Sequence, residues 1–244
     1  MDEDVQRRDF TLNSLYYDPL KEQVIDYTGG LEDIKKGIVK PVIPLNVIFE
    51  EDPVRMLRAV KYAATTGCRM PYSLKKKIRS SAHLLSPVSP SRLTEEMMKI
   101  INSGHSYDIV SLALDMDIYP YLQPAATELI FSNKQFGKKY LNSLKDLDSF
   151  INTNPEAALG AKLEFIVRDF VESLTDWNKE IATNSAAGEL YTRTWTQCRN
   201  FVLPMNPQRS ELEYAIRMTL KKLGVQVKIP KKNRIFYKVP ETND

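Results

Sequence analysis

The 244-residue chain has room for one large domain or two modest ones, and its 43% hydrophobic content can bury a substantial core. Its 34 Lys+Arg against 31 Asp+Glu leave a net charge of +3, which excludes a disordered polyelectrolyte. Short apolar runs and the charged start MDEDVQRRDF predict neither a membrane span nor a signal peptide, and two cysteines (Cys68, Cys198) with two histidines (His83, His105) argue against a disulfide framework or a dedicated zinc site. The expectation is a soluble, cytoplasmic, globular protein.

In chain order, SLYYDP (14–19) and EQVIDYT (22–28) are short aromatic and β-branched runs that predict a hairpin. Gly29-Gly30 breaks the chain, LEDIKKG reads as a helical turn ending at Gly37, and IVKPVI (38–43) is a further candidate strand weakened by Pro41. From residue 52 the pattern turns helical. Asp52-Pro53 predicts an N-cap before a proline at the first helical position, Gly67 a stop, and Val54, Leu57, Val60, Tyr62 and Ala64 a buried stripe between them. A second helix is predicted from about Ser73 to Leu85, with SPVSPS (86–91) as a connector. Leu93, Met97, Ile100 and Ile101 then recur at i, i+4, i+7 and i+8 up to Gly104, and Ile109, Leu112 and Met116 continue towards Pro120. Residues 121–156 read as irregular, closing on an NTNP turn. Leu159, Leu163, Ile166, Phe170, Val171 and Leu174 trace a clear amphipathic helix. Leu190–Phe201 and Leu212–Leu223 predict two more, the latter ended by Gly224. Residues 228–244 read as a basic tail.

Charge is unevenly spread. Residues 191–244 hold 11 Lys/Arg against four acids, an excess of +7, which leaves −4 on the first 190. A basic C-terminal quarter fits a polyanion partner and equally a solvated helix face. Tyr191 and Trp195, one turn apart near Arg199, read as core in preference to a base-stacking pair.

Two arginine–carboxylate clusters carry the chemistry. One is QRRDFTLN (6–13); the other is FEEDPVRMLR (49–58). On a helix opened by Asp52, Arg55 falls one turn later and Arg58 one turn beyond. A carboxylate acceptor beside a planar guanidinium can read a base edge or clamp a phosphate. The plainer alternative is a helix cap with its salt bridge.

The succession EDVQRRDFTLNSLYYDP, VIDYTGGLEDIKKGIV and FEEDPVRMLRAVKYAATTG resembles the class II nucleotidyltransferases, which comprise the bacterial poly(A) polymerases and the tRNA CCA-adding enzymes. SPSRLTEEMMKIINSG is similar to the neck helix of that family, and WTQCRNFVLPMNPQRSELEYAIRMTLKKLG to the body of its poly(A) branch. The resemblance implies an α+β, predominantly α fold: a remnant of the nucleotidyltransferase head (1–50), nucleotide-selecting neck helices (51–120), an RNA-binding body (121–224) and the tail (225–244). It implies addition of AMP from ATP to RNA 3′ ends (mRNA or tRNA), with CCA addition to tRNA as the alternative and a non-catalytic RNA-binding module as a third reading. Arg7, Arg8, Asp9 and Asn13 match the nucleotide-contacting motif, where Asp9 is a ribose contact or a third catalytic carboxylate. Asp52 and Arg55 match the base-reading pair, with Arg58 supporting, and Ile25–Gly30 a flexible part of the nucleotide pocket. Arg199, Arg209, Lys221, Lys222, Lys231, Lys232 and Arg234 are the implied RNA contacts.

The family also needs Mg²⁺, held by an Asp-x-Asp strand upstream of the RRD motif. Asp115-Met116-Asp117 and Asp146-Leu147-Asp148 do not suit that role, because carboxylates at i and i+2 share one face on a strand but stand about 200° apart on a helix. The metal ligands, and with them independent catalysis, are expected to be missing from this chain.

Overall fold

The computed structural model describes residues 5, 7–182 and 186–227. It is helical apart from one two-stranded sheet among these residues. Two compact units divide the chain: the first takes what is described up to Glu96 together with Asp108–Leu122, and the second takes Met97–Tyr107 and what is described from Gln123 onward.

The first unit opens on the predicted hairpin. β1 (Leu15–Asp18) pairs antiparallel with β2 (Gln23–Asp26), with Tyr16 opposite Ile25 and Tyr17 opposite Val24. α1 (Gly30–Lys35) follows. The candidate strand over 38–43 does not form. Pro41 has no N–H to give a ladder, so only single bridges remain, Phe10 to Pro41 and Ile38 to Arg69. Even so, this segment fixes the backbone beside it, since Thr11 N–H donates to Lys40 O (2.9 Å) and Val42 N–H donates to Asp9 O (3.0 Å).

α2 (Ile48–Glu51) and α3 (Arg55–Thr66) are separate helices, and Asp52 lies between them in an extended conformation (φ −148°, ψ 99°). The predicted cap is therefore corrected: Val54 occupies the N-cap of α3 without a side-chain bond, and Asp52 braces the turn by accepting from Val54 N–H at 3.2 Å. The predicted second helix is shorter than expected, α4 (Tyr72–Ser81), and its last turn tightens into a 3-10 segment, Ala82–Leu85. α5 (Pro90–Ile101), α6 (Ser106–Asp115) and the short α7 (Tyr119–Leu122) complete the first half of the chain. Phe10, Ile48, Phe49, Met56, Leu74, Ile78 and Leu85 are fully buried in the first unit. Each such side chain contributes about 1.5–3 kcal/mol by leaving water.

Residues 121–156 overturn their reading as irregular. They form α8 (Pro124–Ser132) and the 20-residue α9 (Lys134–Thr153). Asn133 caps α9, its Oδ1 accepting from the N–H groups of Gln135 (3.0 Å) and Phe136 (3.1 Å). Phe136, Tyr140, Leu144, Leu147 and Ile151 then bury one stripe. α10 (Leu159–Ser173) lies where its periodicity predicted; α11 (Trp177–Ala182) is an unexpected short helix. α12 (Ala187–Phe201) and α13 (Arg209–Lys222) close the described chain. The most extensive helix pair is α10 with α13, and Phe170 stacks on Phe201 with centroids 4.1 Å apart. The helix stops predicted at Gly37, Gly67, Gly104 and Gly224 all have φ between +61° and +88°. The basic tail falls outside the described residues. No described helix is long and apolar enough to cross a membrane.

Candidate nucleotide-binding site

Asp9 and Asp52 are 43 positions apart, and one arginine joins them. From the second turn of α3, Arg58 places Nε 3.0 Å from Asp9 Oδ2, while its Nη2 donates to Asp52 Oδ2 at 2.7 Å. Arg92, on the first turn of α5, donates from Nη2 to Asp52 Oδ1 at 2.9 Å. Both oxygens of Asp52 thus face a guanidinium. Asp9 is buried and Asp52 half-buried, so these charges interact through less water than surface pairs do. Asp9 Oδ1 accepts from Phe10 N–H at 3.0 Å, with Asn13 Nδ2 at 3.5 Å.

The two clusters read from the sequence therefore meet, but through a different pairing. Arg55 does not pair with Asp52. It donates from Nη1 to Glu51 Oε2 (2.7 Å) and to Ile48 O (3.1 Å). The spacing argument placed Asp52 on the helix of Arg55; because Asp52 is extended, the helical i, i+3 relation does not apply, and Glu51 stands where Asp52 was expected. Arg7 is exposed. Arg8 is half-buried, its guanidinium 5.7 Å from the Tyr16 ring centroid.

Three residues at this site escaped the sequence reading. Arg92 stood in a segment read for its apolar period and its likeness to a neck helix, with no site role given to the arginine. Tyr62 lies against Phe10 edge-on, with ring centroids 5.8 Å apart. Burial, reinforced by Asp9, pushes its phenol up to about 12. Glu96 is buried and adds to that field.

The hairpin's exit is firmly braced. Asp26 Oδ1 accepts from the N–H groups of Thr28 (3.1 Å), Gly29 (2.9 Å) and Gly30 (3.0 Å), and Oδ2 accepts from Leu31 N–H at 2.9 Å. Burial alone would raise its carboxyl pKa; the four donors together outweigh that and hold it below the usual value. α1 then ties back to the RRD segment, as Thr11 Oγ1 donates to Asp33 Oδ2 at 2.9 Å.

Three of the four Asp-x-Asp carboxylates have structural partners, and the fourth, Asp117, is exposed. Asp115 accepts from Arg79 at 3.1 Å, Asp146 pairs with Arg168, and Asp148 accepts from the N–H of Tyr107 at 2.9 Å and that of Ser106 at 2.6 Å. In the second unit, Arg199 donates to Asn206 Oδ1 (2.6 Å), Arg209 to Glu213 Oε1 (2.8 Å), and Lys222 lies 2.9 Å from Glu164 Oε1. Lys221 is exposed at the end of α13; Lys231, Lys232 and Arg234 are outside the described residues. Tyr191 and Trp195 are not core residues. Both are half-buried, with the Arg217 guanidinium 4.0 Å from the Tyr191 centroid and that of Arg209 5.1 Å from the Trp195 centroid.

Comparison with known proteins gives concordant matches. Residues 1–40 match the family described as "Poly A polymerase head domain", and residues 69–130 the family described as "Probable RNA and SrmB- binding site of polymerase A". A poly(A) polymerase I of Escherichia coli O6:H1 is 39% identical over 133 residues, 54% of this chain and 29% of that protein. A CCA-adding enzyme of Lactobacillus helveticus is 32% identical over 143 residues, 52% of this chain and 36% of that enzyme. The chain thus spans only about a third of the length of these relatives. A solved CCA-adding enzyme in complex with ATP shares the fold over 91% of this chain and 59% of its own length, at a TM-score of 0.53 and 17% identity.

Proposed function

We infer that this chain, which belongs to the nucleotidyltransferase family of the bacterial poly(A) polymerases and CCA-adding enzymes, serves RNA 3′-end extension by selecting the incoming nucleotide and holding the RNA. The observation that carries this is Arg58 bridging Asp9 to Asp52, which joins the two clusters in one site. A carboxylate next to a guanidinium presents an acceptor beside a donor. Adenine and cytosine complement that pattern, each with an amino group next to a ring-nitrogen acceptor; guanine and uracil present the reverse. Asp52 is the acceptor. Arg92, whose side chain is 52% exposed, is the partner that an arriving base displaces most easily, while Arg58 stays with Asp9. Arg8 and Arg55 lie close in sequence to the two carboxylates and supply cations for the triphosphate.

This pattern admits both ATP and CTP. AMP addition, as in the poly(A) branch, is favoured by the higher identity of the poly(A) polymerase relative. Magnesium is the family's expected metal; Asp9, the carboxylate that the RRD motif offers, is engaged by Arg58. A carboxylate held by a guanidinium is suited to selection and positioning, and that is the part assigned to Asp9 and Asp52.

Equilibrium dialysis of the full chain against the four nucleoside triphosphates tests the assignment. ATP should bind more tightly than GTP or UTP, and Asp52→Asn should erase that preference. Equal retention of all four, or none, overturns it. Labelling then separates the products: radiolabel from ATP alone entering an unstructured RNA supports poly(A) addition, and CTP followed by ATP entering a truncated tRNA supports CCA addition. RNA binding without nucleotide affinity supports the non-catalytic module.

A further inference from the structure

The second unit holds a cavity that the nucleotide reading does not use. It measures about 380 Å³ and is walled by α9, α10 and α13. Cavities of this size take small organic molecules. Its buried polar lining is Ser143, Glu164, Asp169 and Thr219, two hydroxyls and two carboxylates with no buried cation among them.

The cations that line it are committed to other acids. Lys222 Nζ lies 2.9 Å from Glu164 Oε1, and Lys139 donates to Glu172 Oε1 at 2.7 Å. Arg168 is divided between Ser143 Oγ, to which its Nε donates at 2.8 Å, and Asp146. Asp169 is left over. Its exposure is 8%, and among the described residues it accepts a hydrogen bond from Ser143 Oγ and forms no ion pair. Burial raises its pKa above the ordinary carboxylate value. The Ser143 hydrogen bond and the charges of Arg168 and Lys139 offset this only in part, and Glu172 adds to it. A buried carboxylate without a cation beside it is unfavourable, and a ligand that brings one relieves it.

Asp169 also walls an adjoining hollow of about 190 Å³, and Glu172, at i+3 on the same helix, lines both spaces with it. The Glu172–Lys139 pair joins side chains 48% and 44% exposed, an ion pair of the kind that a competing ammonium displaces readily.

We propose that this cavity binds an aliphatic diamine, with one ammonium on Asp169 and the other on Glu172 in place of Lys139. A primary ammonium carries three N–H donors and no acceptor, which matches a buried carboxylate with spare lone pairs. An anion would instead meet two buried acids, Glu164 and Asp169. Leu223 gives the methylene chain an apolar wall. The site is independent of the nucleotide assignment, since all of its residues belong to the second unit and Asp9, Asp52 and Arg58 to the first.

The test is isothermal titration calorimetry of the full chain with diaminobutane, butylamine, tetramethylammonium and inorganic phosphate at matched ionic strength. Diaminobutane should bind more tightly than butylamine, and tetramethylammonium, which has the charge but no N–H, should not bind. Asp169→Asn should weaken diaminobutane by about 10- to 150-fold, the effect of losing one hydrogen bond to a charged group. Glu172→Gln should reduce diaminobutane to the affinity of butylamine. Trp177 and Trp195 both lie in the second unit, so their fluorescence checks that each variant is folded, and the wild-type comparison of diaminobutane with tetramethylammonium needs no variant. Wild-type affinity in Asp169→Asn or in Glu172→Gln, tetramethylammonium bound as well as diaminobutane, phosphate bound in place of the amines, or no amine bound at all overturns the site. Each of these results leaves the nucleotide assignment standing, because that rests on its own dialysis measurement.

Discussion

Removing Arg58 is the sharpest perturbation of the candidate site, because its guanidinium is shared by two carboxylates of unequal burial. The side chain of Asp9 is 6% exposed, that of Asp52 18%, and that of Arg58 31%. Deleting one partner of a fully buried pair costs about 3–5 kcal/mol, and deleting one from a surface pair about 0–1 kcal/mol. In Arg58→Met, Asp52 keeps Arg92 and the Val54 N–H, whereas Asp9 keeps only the Phe10 N–H and the long contact to Asn13. The loss therefore falls on Asp9 and, with a third of Arg58 in solvent, amounts to about 2 kcal/mol. Methionine preserves the aliphatic packing of the arginine stem, so the change reports charge more than volume. Both tryptophans, Trp177 and Trp195, belong to the second unit, so their fluorescence does not report on this one. Hydrogen exchange in peptides covering 7–13 and 48–66, followed through a urea series, does. Adding Asp9→Asn to Arg58→Met should recover at least half of the loss, since it neutralises the stranded carboxylate. If the two substitutions prove additive to within about 0.5 kcal/mol, Arg58 and Asp9 are not coupled and the bridge has no energetic role.

Two other substitutions probe the same unit. Tyr62 has a folded-state pKa raised to about 12 against about 10 for a free phenol, so its contribution is fully present below pH 10 and fades as pH climbs to 12; Tyr62→Phe should flatten the alkaline limb of thermal stability followed by circular dichroism, and an unchanged limb contradicts this. A Cβ at Gly30 would run into the Thr11 carbonyl and lie 3.2 Å from the Leu15 side chain, so Gly30→Ala should cost about 1–3 kcal/mol and loosen hydrogen exchange over residues 9–14, whereas exchange matching wild type would show that α1 does not press on that segment.

Helices with a regular apolar period were legible: α3, α5 and α13, each closed by a glycine, and α10, which has none, lie where their stripes placed them, and the hairpin followed from two aromatic runs about a turn. α9 was not, although it is the longest described helix. Its sequence KQFGKKYLNSLKDLDSFINT carries Gly137 near the start, a residue of low helix propensity. In the fold that glycine permits a close approach, since a Cβ there would come within 2.9 Å of Ile130 O. Packing between α8 and α9 explains the residue, and packing partners are invisible to a scan along one strand of sequence. The segment 38–43 failed the opposite way. Its β-branched residues predicted a strand, but Pro41 has no N–H for a ladder and only isolated bridges remain, with Val42 and Ile43 in a bend.

The site was legible as two clusters and illegible as a network. Residue types sufficed to single out Asp9, Asp52 and Arg58, because acids and arginines packed this densely either neutralise one another or bind something charged. Their pairing depended on backbone geometry that no spacing rule carries: the extended conformation at Asp52 turned its carboxylate away from Arg55 and towards Arg58 and Arg92, the latter 40 positions along the chain. Charge was averaged over too long a stretch in the same way. Counting the first 190 residues together gave −4 and hid an acid-free run of 42 residues with nine cations between Asp52 and Glu95. A window matched to one helix–turn–helix unit resolves that run, which supplies Arg58 and Arg92 to the carboxylate of Asp52 and Lys75, Lys76 and Lys77 to α4.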